Sequence, residues 1–308
     1  MRVGHFTGPE ARAEYLRAYD DAVATLPRPR AADVGTPHGT VRVHTCAGPP
    51  DPAPLVLLPG TGTPGAGWSS VVTHLTGRRT VHLVDPLGGP GASRQEVPLR
   101  SMADVAGWLR AVVDGLGLTA FHLAGMSLGG RCAFELARRS PGGLCSLTLV
   151  DPVNTLDRVP FRVAALAVGA SPRAPRPLRG LFRRTLGSDA ADPHDPVARV
   201  AALGPESYAS AQPHPSLPAD ADLRSVRVPT LSLLGGRSTV LDAGRARDRA
   251  ALLPRGTAEV WPDATHALPA EHPERTADRI LAHAARAERA VEAGKNGEAD
   301  RYPAAGRS

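Results

Sequence analysis

In Phe121-His-Leu-Ala-Gly-Met-Ser-Leu-Gly129 a short apolar run stops at a glycine, and a serine follows with glycines two positions to either side. The run Phe121 to Ala124 predicts a buried strand. Arg131 to Arg139 carries helical spacing, so Ser127 falls on the turn between a strand and a helix. A turn that sharp leaves no room for a Cβ two residues before or after its apex, and it exposes the apex hydroxyl at the carboxyl edge of a sheet. Ser127 is therefore the candidate nucleophile. A chain with 32 glycines produces Gly-X-Ser-X-Gly by chance often enough; the strand before it and the helix after it make this one specific.

Reading outward, Thr40-Val-Arg-Val-His-Thr-Cys46 alternates like a half-buried strand. Leu55 to Leu58 and Val81 to Val84 are short apolar runs ending at Pro59-Gly60 and Asp85-Pro86, as buried parallel strands do. Met102 to Leu116 has helical periodicity and Leu147 to Val150 is another strand. The alternation breaks between Pro152 and Leu223, where prolines interrupt short helical pieces. It resumes with a strand at Thr230 to Leu234, a helix near Asp242 to Leu253, a strand at Ala258 to Trp261 and a helix from Glu271. The expected fold is α/β: a mostly parallel central sheet with helices on both faces and one long insertion. An amphipathic helix over Pro9 to Leu26 leads in within residues 1–39. The core occupies 40–151 and 224–290, the insertion 152–223, and the polar end, 291–308, reads as a disordered tail.

The 308 residues, 42% hydrophobic and 21% charged, suffice for one large folded unit. Cys46, Cys132 and Cys145 are too few and too scattered for a disulfide framework or a thiolate zinc site, so a reducing compartment fits. The first residues lack the apolar stretch of a signal peptide, and no apolar window approaches the roughly 20 residues that span a bilayer; a cytoplasmic location is expected. The formal charge of +6 is almost all arginine, Lys295 being the one lysine, and it is spread along a chain with 4% aromatics. A nucleic-acid reader concentrates charge on one face with interleaved aromatics, so that function is disfavoured. The densest basic stretch, Arg173, Arg176, Arg179, Arg183 and Arg184, reads as a solvated face of the proline-rich insertion.

A serine hydroxyl is a poor nucleophile until a base takes its proton. Of 11 histidines, His266 is best placed, in the loop after the last strand and before the final helix; His122 lies inside a strand and His272 starts a helix. Acyl transfer also needs N–H donors for the developing oxyanion. The peptide N–H of Leu128, just after the nucleophile, is one candidate, and that of Thr61, or Gly62, in the turn Leu55-Val-Leu-Leu-Pro-Gly-Thr-Gly62 is the other.

With these pieces in order the chain resembles the α/β-hydrolase superfamily, and within it bacterial carboxylesterase-like members. The loop Asp85-Pro-Leu-Gly-Gly-Pro-Gly-Ala-Ser93 and the phrase Thr265-His-Ala-Leu-Pro-Ala-Glu-His-Pro-Glu274 are similar to theirs. The resemblance implies that residues 152–223 form a cap over an acyl pocket. It also implies a catalytic acid just past the strand Thr230 to Leu234, but in Leu233-Leu-Gly-Gly-Arg-Ser-Thr-Val-Leu-Asp242 the residue at that position is Ser238. A hydroxyl cannot balance an imidazolium, although it could accept from the second ring N–H. Two carboxylates compete for the role. Asp151 ends the strand Leu147 to Val150, where some relatives, certain haloalkane dehalogenases among them, carry the acid; its bland reading is a strand-ending Asp-Pro turn. Asp242 lies four residues past the usual position; its bland reading is a helix N-cap. The third alternative is no acid at all.

The function expected is a serine hydrolase acting on a small-molecule carboxylic ester, lactone or thioester through an acyl-enzyme, with no metal or organic cofactor required. The rival expectation is a non-catalytic ligand-binding protein on the same scaffold, for which Ser238 is the evidence.

Overall fold

The computed structural model describes residues 2–166, 174–175, 177–178, 180–181 and 194–299. Among the described residues eleven strands run β1 His5–Phe6, β2 Arg30–Thr36, β3 Gly39–Cys46, β4 Leu55–Leu58, β5 Val81–Val84, β6 Arg94–Gln95, β7 Phe121–Met126, β8 Leu144–Val150, β9 Tyr208–Ala209, β10 Thr230–Gly235 and β11 Gly256–Trp261. Nine of them form one sheet in the order β11-β10-β8-β7-β4-β5-β3-β2, with β6 against β3. From β11 to β5 every neighbour is parallel, and in this sheet β3 runs against the rest, paired antiparallel with β5, β2 and β6. Parallel strands need crossovers that cover both faces, which is why β4 and β5 are buried at every position and apolar at all but His82. Val56 and Leu58 face one core cluster, with Val84, Trp108, Phe134 and Leu147; Leu55 and Leu57 face the other, with Tyr15, Trp68, Leu75 and Trp261.

The helices are α1 Pro9–Ala24, α2 Ser69–Leu75, α3 Met102–Gly115, α4 Leu128–Arg139, α5 Phe161–Leu166, α6 Pro196–Ser207, α7 Asp220–Ser225, α8 Ala243–Ala250, α9 Leu268–Glu271 and α10 Pro273–Ala299. Local chemistry sets several starts: Pro9 opens α1, and Ser101 with Asp104 closes a capping box on α3. Within the insertion, β9 pairs with the N-terminal β1, and the Thr7 N–H donates to the Ser207 carbonyl at 2.8 Å. The chain's start thus fastens the end of α6.

Three differences from the sequence reading have physical reasons. The segment Arg30–Thr36, to which the sequence reading assigns no element, is an edge strand in which Val34 alone is buried, so it has no alternation to read. Helix α2 is only seven residues long, too short for periodicity to register. Helix α10 continues through Ala299, beyond the point where the tail was expected to begin; residues 300–308 lie outside the described residues, as do Arg173, Arg176, Arg179, Arg183 and Arg184.

Candidate active site

Ser127 joins β7 to α4 with φ 54° and ψ −119°. A non-glycine residue with positive φ is strained, and the surroundings hold it there. Its N–H donates to Val150 O at 2.9 Å, and its carbonyl accepts from Arg131 N at 3.2 Å and Val153 N at 3.3 Å. A Cβ on Gly125 would strike the Gly129 carbonyl, and one on Gly129 would strike the carbonyls of Leu58 and Pro59. The two flanking glycines are thus explained by contact: the serine turn and the loop after β4 meet backbone to backbone.

His266 follows β11, in a loop clamped by Glu271, whose carboxylate accepts from Thr265 N at 2.8 Å and Thr265 Oγ1 at 2.6 Å. Its Nε2 lies 3.0 Å from Ser127 Oγ, and its Nδ1 lies 2.6 Å from Asp151 Oδ2. An ionised carboxylate only accepts, so Nδ1 carries the proton and Nε2 is left to accept from the serine hydroxyl. Ser127, His266 and Asp151 are 6%, 4% and 0% exposed, which keeps this chain of bonds largely out of competition with water.

Asp151 sits just past β8 with φ 42°. Its N–H donates to Leu233 O at 2.8 Å, continuing the β8–β10 ladder by one bond. Its Oδ1 accepts from Gly235 N at 2.9 Å, and its Oδ2 accepts from Ser238 Oγ at 2.6 Å as well as from His266. Asp242 is elsewhere. It caps α8, accepting from Arg245 N at 2.9 Å, while its own N–H donates to Asp157 at 2.8 Å; its side chain is half exposed beside Arg245. The expectation that Asp242 could serve the histidine is corrected by this N-capping geometry. Ser238 also differs from expectation: its hydroxyl donates to the carboxylate instead of accepting from the ring.

On the opposite side of the serine, Gly60 packs so closely that a Cβ there would lie 3.4 Å from Ser127 Cβ and 3.9 Å from its Oγ. Thr61 is the next residue and is exposed. Leu128 is the first residue of α4, so its N–H has no carbonyl four residues back within the helix, and the positive end of the helix dipole lies there. Gly62 has φ +78°, and α6 covers it: a Cβ on Gly62 would lie 3.3 Å from Pro205 Cγ, and one on Gly204 would strike the Gly62 carbonyl.

Asp85, the residue that follows β5, organises this loop. Fully buried, it accepts from Gly65 N at 2.7 Å, Ala92 N at 2.8 Å and Tyr19 Oη at 2.8 Å. Since the tyrosine proton goes to Asp85, Tyr19 Oη accepts from His44 Nε2 at 2.6 Å. Burial pushes the Asp85 carboxyl upward, and the two backbone donors and Tyr19 oppose that shift. The only available signal was an aspartate closing an apolar strand; its partners come from α1, β3 and two loops.

A family model described as the alpha/beta hydrolase family matches residues 55–279. The chain belongs to the α/β-hydrolase family. Among the members it is similar to, carboxylesterase YbfK of Bacillus subtilis (strain 168) is 27% identical over 285 residues, spanning 90% of this chain and 95% of that one. The crystal structure of naproxen esterase from Bacillus subtilis superposes with a TM-score of 0.81 at 26% identity, covering 89% of this chain and 98% of that one. That of carboxylesterase CesB (YbfK) from the same organism gives 0.79 at 26% identity, with the same coverage of 89% and 98%. This α/β hydrolase therefore resembles the bacterial carboxylesterases over nearly its whole length. Among its described residues, no helix is long and apolar enough to cross a membrane.

Proposed function

We propose that this α/β hydrolase cleaves carboxylic esters of small molecules by a serine mechanism. The observation that carries the proposal is the continuous relay from Ser127 Oγ to His266 Nε2 at 3.0 Å and from His266 Nδ1 to Asp151 at 2.6 Å. The carboxylesterase names of its relatives support an ester as the substrate. Ser127 Oγ attacks the carbonyl carbon while His266 Nε2 takes its proton, and Asp151 balances the imidazolium. The Leu128 and Thr61 N–H groups receive the negative charge on the carbonyl oxygen. His266 then delivers its proton to the leaving alcohol oxygen as the C–O bond breaks, leaving an acyl group on Ser127. Water attacks that ester with His266 again as base, releasing the acid and the free serine.

The rival reading, a ligand binder on a hydrolase scaffold, rested on the hydroxyl at Ser238. The contact of the Asp151 carboxylate, from a neighbouring strand, with the histidine favours the catalytic reading over it. Residues 152–223 serve as the cap in this proposal, with α6 roofing the loop at Thr61. The test is hydrolysis of 4-nitrophenyl esters of graded acyl length by the native chain and by Ser127→Ala. Turnover lost in the variant supports the proposal; equal turnover by both proteins, or none by the folded native chain across the series, overturns it.

A further inference from the structure

Resting on that catalytic reading, we infer that Ser238 is a positioning residue for the acid: its hydroxyl fixes the Asp151 carboxylate and sets the pH at which His266 becomes an active base. Ser238 follows β10 by three residues, in a loop where its own N–H donates to Gly235 O at 3.2 Å. Its Oγ accepts from Val240 N at 3.3 Å and lies 2.6 Å from Asp151 Oδ2. The Val240 N–H occupies the acceptor side of the hydroxyl, so the hydroxyl proton is directed at the carboxylate. Asp151 thereby receives three donors, Gly235 N on Oδ1 and both Ser238 Oγ and His266 Nδ1 on Oδ2. A carboxylate oxygen with two donors has its charge shared between them. The Ser238 bond therefore weakens the hold of Asp151 on the proton of the imidazolium, and it prevents the carboxylate from rotating off the ring.

The other charged groups near this site have other partners or are screened. Glu271, at the end of α9 just after the His266 loop, is engaged by Thr265. Asp157, on the segment following Asp151, is engaged by Arg245 and by Asp242 N. Asp263 on the histidine loop and Arg237 beside Ser238 are exposed, where water and salt damp their fields. The Ser238 hydroxyl is the group in direct contact with the acid whose removal changes no formal charge.

The direction follows. Removing the hydroxyl concentrates charge on Oδ2, strengthens its hold on the imidazolium proton and moves the acid limb of reactivity to higher pH. The measurement is the second-order rate of Ser127 labelling by a fluorophosphonate as a function of pH, for the native chain, Ser238→Ala and Ser238→Thr, with thermal unfolding of each. The expected result for Ser238→Ala is an acid limb higher by roughly half a unit or more and a plateau rate lower by roughly 5- to 30-fold. Ser238→Thr keeps the hydroxyl and restores both. An unmoved acid limb in Ser238→Ala, with only the melting temperature lowered, overturns the inference and leaves Ser238 a structural residue. Failure of the native chain to label overturns the catalytic reading itself, and this inference with it.

Discussion

Replacing Asp151 with asparagine changes one heavy atom and removes the charge that faces His266 Nδ1. In the native site both oxygens accept: Oδ1 from Gly235 N at 2.9 Å, and Oδ2 from Ser238 Oγ and His266 Nδ1, both at 2.6 Å. An asparagine keeps one acceptor and gains a donor. If its oxygen stays on the fixed Gly235 N–H, its NH2 faces His266 Nδ1, which must then accept, and the ring proton moves to Nε2. A protonated Nε2 points at Ser127 Oγ and cannot act as base. The flipped amide instead sets two N–H donors against each other in a site with no exposure, costing about 1–3 kcal/mol. The first arrangement therefore prevails, and the loss in turnover is that of a wrong tautomer, roughly 10⁴-fold, or about 5.5 kcal/mol of transition-state stabilisation. The paired control is Asp242→Asn, which retains a capping oxygen on α8 and is expected to stay within about twofold of native turnover, with a stability change under about 1 kcal/mol. The assay is kcat/KM on a 4-nitrophenyl ester alongside thermal unfolding. A folded Asp151→Asn within tenfold of native, or a collapse of activity in Asp242→Asn, refutes the assignment of the acid.

Three further outcomes follow from the same geometry. Exchanging the two groups, Asp151→Ser with Ser238→Asp, retains one carboxylate and one hydroxyl at the shared hydrogen bond; the double variant is expected to be faster than Asp151→Ser alone, and equal rates contradict the idea that either strand end can present the acid. Gly129→Ala drives a methyl group into the carbonyls of Leu58 and Pro59, so the loop bearing Thr61 must move; fluorophosphonate labelling is expected to fall roughly 100-fold or more, and a native rate would argue against the assigned oxyanion donors. Burial holds His82 and His122 down at about 4, with Arg79 adding to the shift of His122 and Glu288 opposing it. Both are neutral when folded, whereas the unfolded chain protonates them near the ordinary value of about 6.5. Their contribution is complete above that value and is lost as pH falls toward 4, at most about 3 kcal/mol each. Urea unfolding between pH 7 and 4 checks the sign; His122→Gln should flatten part of the slope, and stability that rises on acidification would contradict it.

What the sequence made legible was short-range. The β7–Ser127–α4 unit declares itself because apolar run, glycine spacing and helical spacing are contiguous, and His266 follows from its place after the last strand. Which carboxylate meets His266 was not legible, because the deciding facts are the left-handed backbone of Asp151 and its approach to a residue 115 positions away. Ser238 looked like a deficit for the same reason: its partner lies 87 positions away on another strand. The Tyr19–His44–Asp85 network under the loop at Gly65 draws on three elements and left only the strand-ending aspartate as a trace. Edge strand Arg30–Thr36 escaped notice because it buries almost nothing, and pattern reading detects burial.

The central claim is that Ser127 is activated by His266, and the most direct test is intact-mass labelling of the native chain with a reactive fluorophosphonate, with Ser127→Ala and His266→Gln as controls. The account predicts one adduct per chain, located on Ser127, absent from Ser127→Ala and strongly slowed in His266→Gln. A folded native chain that takes up no adduct, or one whose adduct persists in Ser127→Ala, would contradict it.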